Sequence, residues 1–259
     1  MAGKLYREIN VYDAAKERIR LIFRHFERVC VAFSGGKDSS VTLHLALEVA
    51  QEMGRGPVDA LFIDLEGQYR ATIEHVIEMF DRPDVRPWWI CLPINLRNAS
   101  SLQEPYWCAW EPGREEDWIR PMPDHPAVIR DMRFFPFYRY RMEFEEFVPE
   151  FNDWLSRETP TAFLVGIRSD ESLNRYLAVK RRARVKKCAW KPPGARRALA
   201  WSACDNARRR AVTFFPLYDW KFSDLWRYTG EHEHAYNRLY DHMHRAGVPF
   251  SQMRICQPY

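Results

Sequence analysis

The 259-residue chain has no Cys-x-x-Cys pair, no apolar run long enough to cross a membrane and no hydrophobic segment near its first residue. Each absence excludes something. The six cysteines, at 30, 91, 108, 188, 204 and 256, stand apart, so their spacing predicts neither a zinc ribbon nor a redox dithiol. Cys30 and Cys91 lie in apolar, strand-like runs and read as buried thiols, whereas Cys108, Cys188, Cys204 and Cys256 leave open a convergence in space on zinc or an iron–sulfur cluster. Met1-Ala-Gly-Lys-Leu-Tyr-Arg lacks the core of a signal peptide, so the expectation is a cytoplasmic protein without a membrane partner. The stop at Arg254-Ile-Cys-Gln-Pro-Tyr259, without a polar tail, suggests a shortened C-terminus.

Acidic residues are nearly missing from one segment. Between Lys180 and Arg210 there are twelve Lys or Arg and a single acid, Asp205, a local charge of +11 inside a chain whose net charge is only +4. The rest therefore carries 27 basic against 34 acidic residues. Such a field attracts phosphate-rich partners, and Arg181, Arg182, Lys186 and Lys187 are the candidate nucleic-acid contacts; the alternative is a solvated basic loop.

What is present centres on Val29-Cys-Val-Ala-Phe-Ser-Gly-Gly-Lys-Asp-Ser-Ser40. Its apolar start predicts a strand buried on both faces, and from Ser39 the apolar residues recur at helical spacing. Between the two, Gly35 and Gly36 permit a turn whose N–H groups form a nest at a helix N-terminus, where an anion is favoured. Lys37 adds a cation, Ser34, Ser39 and Ser40 add hydroxyls, and Asp38 is able to cap the helix or hold Mg²⁺. The lysine follows the glycine pair directly, so this is not a Walker-type loop.

Around this loop the pattern predicts a helix from about 10 to 28, a second strand over Val58–Asp64, a helix from Tyr69 to Phe80 and a short strand from Trp88 to Leu92. Asp64 and Glu66, just after the second strand, read either as site acids or as an N-cap and a first-turn acid of the next helix. From 93 to 137 periodicity is lost among Pro, Trp, Asn and Ser, as in a specificity insertion or a flap that covers the core. A helix from about 138 to 157, kinked at Pro149, precedes the strand Thr161–Ile167, and then Gly166-Ile-Arg-Ser-Asp-Glu-Ser172 and Arg175. A helix beginning near Asp170 puts Glu171 and Arg175 at i, i+4 spacing. Ser223 is the N-cap candidate of a last long helix, and His232, His234, His242 and His244 read as surface or satisfied histidines.

Four stretches, Ser34–Ser40, Asp64–Tyr69, Gly166–Arg175 and Pro216–Trp226, resemble in order the motifs of the adenine-nucleotide α-hydrolases. This PP-loop superfamily includes the ATP pyrophosphatases, the small subunit of ATP sulfurylase, FAD synthetase and PAPS reductase, and the chain looks most like the PAPS-reductase-like branch. The resemblance implies a Rossmann-like (HUP-type) α/β/α fold with a mostly parallel sheet, an irregular insertion and a helical C-terminal part. The expected division is a nucleotide domain over 1–229 and a helical extension over 230–259. It further implies ATP and Mg²⁺ as cofactors, with Ser34, Gly35, Gly36, Lys37, Asp38, Ser39, Ser40, Asp64, Glu66 and Gly166 around the nucleotide and Asp38 and Asp64 as metal holders. Arg168, Glu171 and Arg175 would contact substrate, and Lys37, Asp38 and Arg168 would be catalytic. Some members of this branch are linked with ParB-like or DNA-modifying partners. One departure is clear: no Glu-Cys-Gly-Leu-His segment is present, so thiol attack on a sulfonucleotide is disfavoured against cleavage of ATP at the α-phosphate. The expected activity is adenylation of a second substrate with release of pyrophosphate, with a sulfonucleotide reductase and a nucleotide-sensing, nucleic-acid-associated module as the alternatives.

Overall fold

Asn10 accepts the Asp13 N–H at 2.8 Å and so caps helix α1, Val11–His25, whose Ala15, Ile19, Ile22 and Phe23 are buried at the spacing of one helical face. The structure is a computed structural model and describes residues 8–97, 103, 105–172, 175–177, 189–204 and 210–255. After α1 come β1 (Arg28–Ala32), α2 (Lys37–Glu52), β2 (Val58–Ile63), α3 (Arg70–Phe80) and β3 (Val85–Ile90). Strands β4 (Ile94–Arg97), β5 (Tyr106–Ala109), β6 (Val128–Ile129) and β7 (Met142–Glu143) follow, then α4 (Phe144–Leu155) and β8 (Thr161–Val165). The chain then forms β9 (Ser202–Cys204), β10 (Ala211–Phe214), α5 (Phe222–Glu231) and α6 (Leu239–Arg245).

Seven strands form the main sheet in the order β6-β3-β2-β1-β8-β10-β9, parallel throughout except where β9 runs against β10. From β1 the chain winds outward through β2 and β3, then returns to the other side of β1 with β8. The order therefore reverses between β1 and β8, where an open parallel sheet leaves a crevice at its carboxyl edge. Both glycine motifs lie there, because one follows β1 and the other follows β8. Side chains from α1, α2, α3 and α5 pack on one face of the sheet, while Phe147, Phe151 and Leu155 of α4 pack on the other with Leu61 and Phe163. The result is the expected three-layer α/β/α arrangement.

Several boundaries differ from the sequence pattern. Strand β3 starts at Val85 and runs through Pro87, since the neighbouring β6 pairs only with Trp89 and Ile90 and leaves the Pro87 side of the strand open. The insertion is not wholly irregular: β4 pairs with β5 and β7 in a second, three-stranded sheet, and the β7 residues delay the start of α4 to Phe144. Part of the basic segment is sheet, because Ala203 pairs with Thr213 across β9 and β10. Lys221, not Ser223, is the N-cap of α5, and Asp224 accepts its N–H at 2.7 Å. His232 ends α5 and His234 lies beyond it, so only His242 and His244 of the four are helical. Arg181, Arg182, Lys186, Lys187, Cys188 and Cys256 fall outside the described residues.

Candidate functional site at the switch point of the sheet

The loop behind β1 is built around Gly35, at φ +72°, where a Cβ would lie 2.8 Å from Thr72 Cγ2. Glycine is therefore required twice, by backbone conformation and by space. Helix α2 begins with the Ser40 N–H donating to the Gly36 carbonyl at 2.9 Å, so the amides of Asp38 and Ser39 precede the hydrogen-bond ladder. The Ser39 hydroxyl donates to the Gly36 carbonyl at 2.9 Å and accepts from Ser34 N–H at 3.1 Å, locking the turn from within. Ser40 turns away from the mouth, donating to Gly36 O and meeting His75 Nε2 at 2.8 Å.

Gly166 carries the second constraint. A Cβ there would sit 2.7 Å from the Asp38 carbonyl oxygen and 2.8 Å from Thr42 Oγ1, so the end of β8 lies directly on the first turn of α2. This contact redirects Arg168. Rather than projecting into the mouth, Arg168 is 3 % exposed, its Nε donates to Asp38 Oδ1, and its Nη1 lies 3.5 Å from the Trp220 carbonyl. Asp38 Oδ2 in turn is 3.1 Å from Lys37 Nζ. Glu171 and Arg175 approach at 3.6 Å as expected, but Ser169–Glu171 is a turn, and the described helical residues there are 175–177.

The C-terminal part, expected as an extension, contributes directly. Asn237, 1 % exposed, donates to the Gly35 carbonyl at 3.0 Å and to Thr72 Oγ1 at 2.8 Å. The Tyr240 hydroxyl accepts the Lys37 N–H at 3.0 Å, and burial pushes its pKa up, so it stays protonated and is able to donate outward. Neither residue carries a local signal, since each lies about two hundred positions from its partner in the loop.

His44 of α2 holds this segment in place: its Nε2 bonds the Ala235 carbonyl at 2.8 Å and its ring stacks on His234 with centroids 4.2 Å apart. Burial lowers the pKa of His44 to about 3 and also lowers those of His234 and His75. The unfolded chain takes up these protons near the ordinary histidine value of 6.5, while folded His44 resists until about 3, so stability declines as pH falls between these values. Calorimetry from pH 7 to pH 5 is expected to show a falling melting temperature, with a shallower slope in His44→Gln.

Asp64 and Glu66 neither cap the following helix nor line the site. Helix α3 starts beyond Tyr69, its N-cap, and both acids turn into the protein. Asp64 accepts from Arg120, from Trp89 Nε1 at 2.9 Å and from Glu66 N–H at 3.0 Å. Glu66, at φ +63°, accepts the N–H groups of Trp110 and Ile119, each at 2.7 Å. The pair thus anchors the insertion to the end of β2. Asp64→Ala leaves the half-buried Arg120 without its carboxylate and is expected to cost up to about 3 kcal/mol in denaturant unfolding; Glu66→Gln, which still accepts one N–H, is expected to cost less.

A cavity of about 1350 Å³ opens at the switch point. Ser34, Gly36, Lys37, Asp38, Ser39 and Gly166 line it, as do Glu171 and Arg175. Of the remaining expected residues, Gly35, Ser40, Asp64, Glu66 and Arg168 stand behind this surface. Tyr69, at the end of the second motif, lines it too, as do Tyr240 and Arg254, which no motif signalled. The proposed Mg²⁺ holders do not fit, because Asp38 is shared between Arg168 and Lys37 and Asp64 is closed off by Arg120 and Trp89. Among the described residues no group of three His, Cys, Asp or Glu side chains is arranged for a metal. Cys30 and Cys91 are buried as expected, and burial pushes the Cys108 thiol up to about 12.

Sheet order, glycine turn and cavity together define a doubly wound α/β protein with an anion-competent loop at its switch point. Residues 28–93 and 148–246 match the profile of the phosphoadenosine phosphosulfate reductase domain, and the chain belongs to that family. The unmatched stretch between them, 94–147, contains the second sheet. The chain is 38 % identical over 259 residues to the uncharacterized protein YbdN of Escherichia coli K12, covering 99 % of this chain and 60 % of YbdN. It is 26 % identical over 211 residues to sulfate adenylyltransferase subunit 2 of Rhizobium meliloti, covering 81 % of this chain and 56 % of the relative. It thus spans less than two thirds of the length of either. Among solved structures, PAPS reductase of Candida auris in a phosphate complex aligns over 93 % of this chain and 94 % of its own, at 14 % identity and a TM-score of 0.45.

Proposed function

We propose that the chain binds ATP at the loop 34–40 and transfers its adenylyl group to a second substrate, releasing pyrophosphate. The observation that carries this reading is the geometry of the helix start: two amides ahead of the α2 ladder, a glycine turn without room for a side chain, and Lys37 beside them at the edge of the cavity. In the reaction an acceptor oxygen forms a bond to the α-phosphorus, the bond from that phosphorus to the bridging oxygen breaks, and pyrophosphate leaves with the electron pair. The acceptor's proton passes to solvent. Loop amides and Lys37 stabilise the charge that accumulates on the departing pyrophosphate, a role suited to fixed donors in a partly enclosed site. Arg168 acts one step removed, as a positioning residue that holds Asp38 and through it Lys37.

Incubation with ATP labelled at the α-phosphate tests the proposal. Labelled AMP or an adenylylated product together with pyrophosphate is the expected result, and labelled ADP with inorganic phosphate would refute it. Sulfite released from PAPS in the presence of a thiol reductant would assign the site to reductase chemistry instead.

A further inference from the structure

Eight residues of the basic segment, Lys191–Ala198, form one closed loop between two tryptophans. At its base the Leu199 N–H donates to the Trp190 carbonyl at 2.9 Å. The Ser202 hydroxyl ties the two ends further, accepting the Trp190 N–H at 2.9 Å and donating to the Leu199 carbonyl at 2.8 Å. Pro192-Pro-Gly-Ala195 has the residues and the bond of a type II turn: the Ala195 N–H donates to the Pro192 carbonyl at 3.0 Å, Pro193 takes the first corner and Gly194, at φ +77°, the second. Trp190 packs on Phe26 and Phe214, with ring centroids 5.2 and 5.5 Å away, and Trp201 packs on Phe214 at 5.6 Å. A stretch that composition alone reads as a solvated basic loop is thus anchored in the core at both ends.

What the loop presents is charge without counter-charge. Lys191, Arg196 and Arg197 are exposed, and none of them makes an ion pair among the described residues. Arg114, Arg133 and Arg227, exposed elsewhere on the chain, each lie within 3.3 Å of a carboxylate. From 180 to 210 the sequence offers one acid, Asp205, so the loop has little to pair with nearby. Three cations on so short an excursion repel one another within the roughly 8–10 Å that salt leaves unscreened. The arrangement therefore favours a partner that brings its own negative charge. The exposed residues of the loop are Lys, Pro, Gly, Arg and Ala, and both tryptophans pack inward. No aromatic ring is offered to an unpaired base, as a binder of single strands would offer it. No large apolar side chain stands out to enter a bilayer. What this surface suits is a run of closely spaced phosphates, and a duplex carries one charge per about 1.7 Å of its axis.

We infer that the loop 191–198 docks the phosphate backbone of a nucleic-acid duplex, with Lys191, Arg196 and Arg197 as the contacting cations. The contacts expected from charge density alone, Arg181, Arg182, Lys186 and Lys187, lie outside the described residues, and the inference does not use them. It also stands apart from the adenylyl-transfer reading. Ser202, just past the loop, pairs with Phe214, the last residue of β10. The loop therefore joins the sheet at its carboxyl edge, the edge on which the cavity opens.

The test is the salt dependence with which the full chain binds short, mixed-sequence DNA and RNA duplexes, read by fluorescence anisotropy without ATP. Replacing all three cations (Lys191→Gln, Arg196→Gln, Arg197→Gln) is expected to weaken binding about tenfold or more and to flatten the slope of log affinity against log salt by about 2–3, near 0.9 for each lost phosphate contact. Each single replacement is expected to flatten it by about 1. The three side chains are exposed, so the melting temperature is expected to stay at the wild-type value. A control variant removes the same charge elsewhere, at Arg114, Arg133 and Arg227, and is expected to keep the wild-type slope. Preference for either duplex over the other supports the site and names the polymer. Equal losses in the triple and control variants would overturn the inference, because net charge would then account for binding. So would an unchanged slope in the triple variant, or no duplex binding by the wild type. Tighter binding of the matching single strand, of polyglutamate, or of vesicles of phosphatidylcholine and phosphatidylserine would also overturn it, by giving the loop a different partner. Pyrophosphate release from ATP is expected to be unchanged in both variants, so either proposal is able to fail without the other.

Discussion

Gly166→Ala is expected to lower the melting temperature by roughly 2–12 °C and to weaken nucleotide binding about tenfold or more. The new methyl group would meet the Asp38 carbonyl oxygen at 2.7 Å, its carbon at 2.8 Å and Thr42 Oγ1 at 2.8 Å. Two of these are backbone atoms, and the third belongs to a β-branched side chain whose χ1 is stiff in a helix. The carbonyl belongs to the first turn of α2 and already accepts the Thr42 hydroxyl at 2.8 Å, so relief requires β8 and α2 to separate. Overpacking of this kind costs about 1–3 kcal/mol, and in a chain of this size each kcal/mol lowers the melting temperature by about 2–4 °C. The displaced peptide lies next to the two free amides, so binding suffers along with stability, at tenfold per 1.4 kcal/mol. Gly230 is the control: it lies in α5 with nothing within 4 Å of the point a Cβ would occupy, and Gly230→Ala is expected to be neutral or stabilising by up to about 1 kcal/mol. Differential scanning fluorimetry with and without ATP separates the two effects. Wild-type melting and binding in Gly166→Ala would show that the close approach of β8 to the loop is not required.

The second large effect is expected from Lys37→Met. Lys37 is 8 % exposed, with its Nζ 3.1 Å from Asp38 Oδ2 and 5.8 Å from the centre of the Tyr240 ring. Methionine keeps the length and apolar stem of the side chain and deletes only the charge. Asp38 retains Arg168, so no carboxylate is stranded and the fold is expected to survive. What disappears is the mobile cation beside the loop amides. Removal of one such electrostatic stabiliser typically costs a factor of about 10²–10³ in turnover, and pyrophosphate release is expected to fall by that amount. Arg168→Gln is expected to differ in kind, because it loosens Asp38 and leaves Lys37 charged, and so to raise KM as well as lower kcat. Equal loss of kcat in both variants, with KM unchanged, would place Arg168 in contact with the reacting phosphate, contrary to the observed geometry.

The elements that frame the site were legible because each has a local cause. Short, largely apolar runs mark β1 and β2, helical periodicity marks α1 and α2, and a glycine pair marks the turn between strand and helix. Two motifs lying after β1 and β8 are enough to place the crevice, once the sheet is known to be parallel. Roles were less legible than positions. Arg168 and Arg175 look alike in sequence, yet only Arg175 borders the cavity, because the Gly166 contact with α2 carries Arg168 down to Asp38. Asp64 and Glu66 look like site acids, and their partners Arg120, Trp110 and Ile119 come from an insertion whose path no periodicity announces.

Composition and local pattern alone determined an α/β chain with a glycine turn between its first described strand and the helix that follows, since hydrophobic spacing and backbone freedom act over a few residues. Tertiary structure decided which side chains face the ligand. Tyr240 and Asn237 reach the loop from about two hundred residues away, and Arg168 meets Asp38 across the contact of β8 with α2. Such juxtapositions depend on which surfaces pack together, and that is a property of the whole chain.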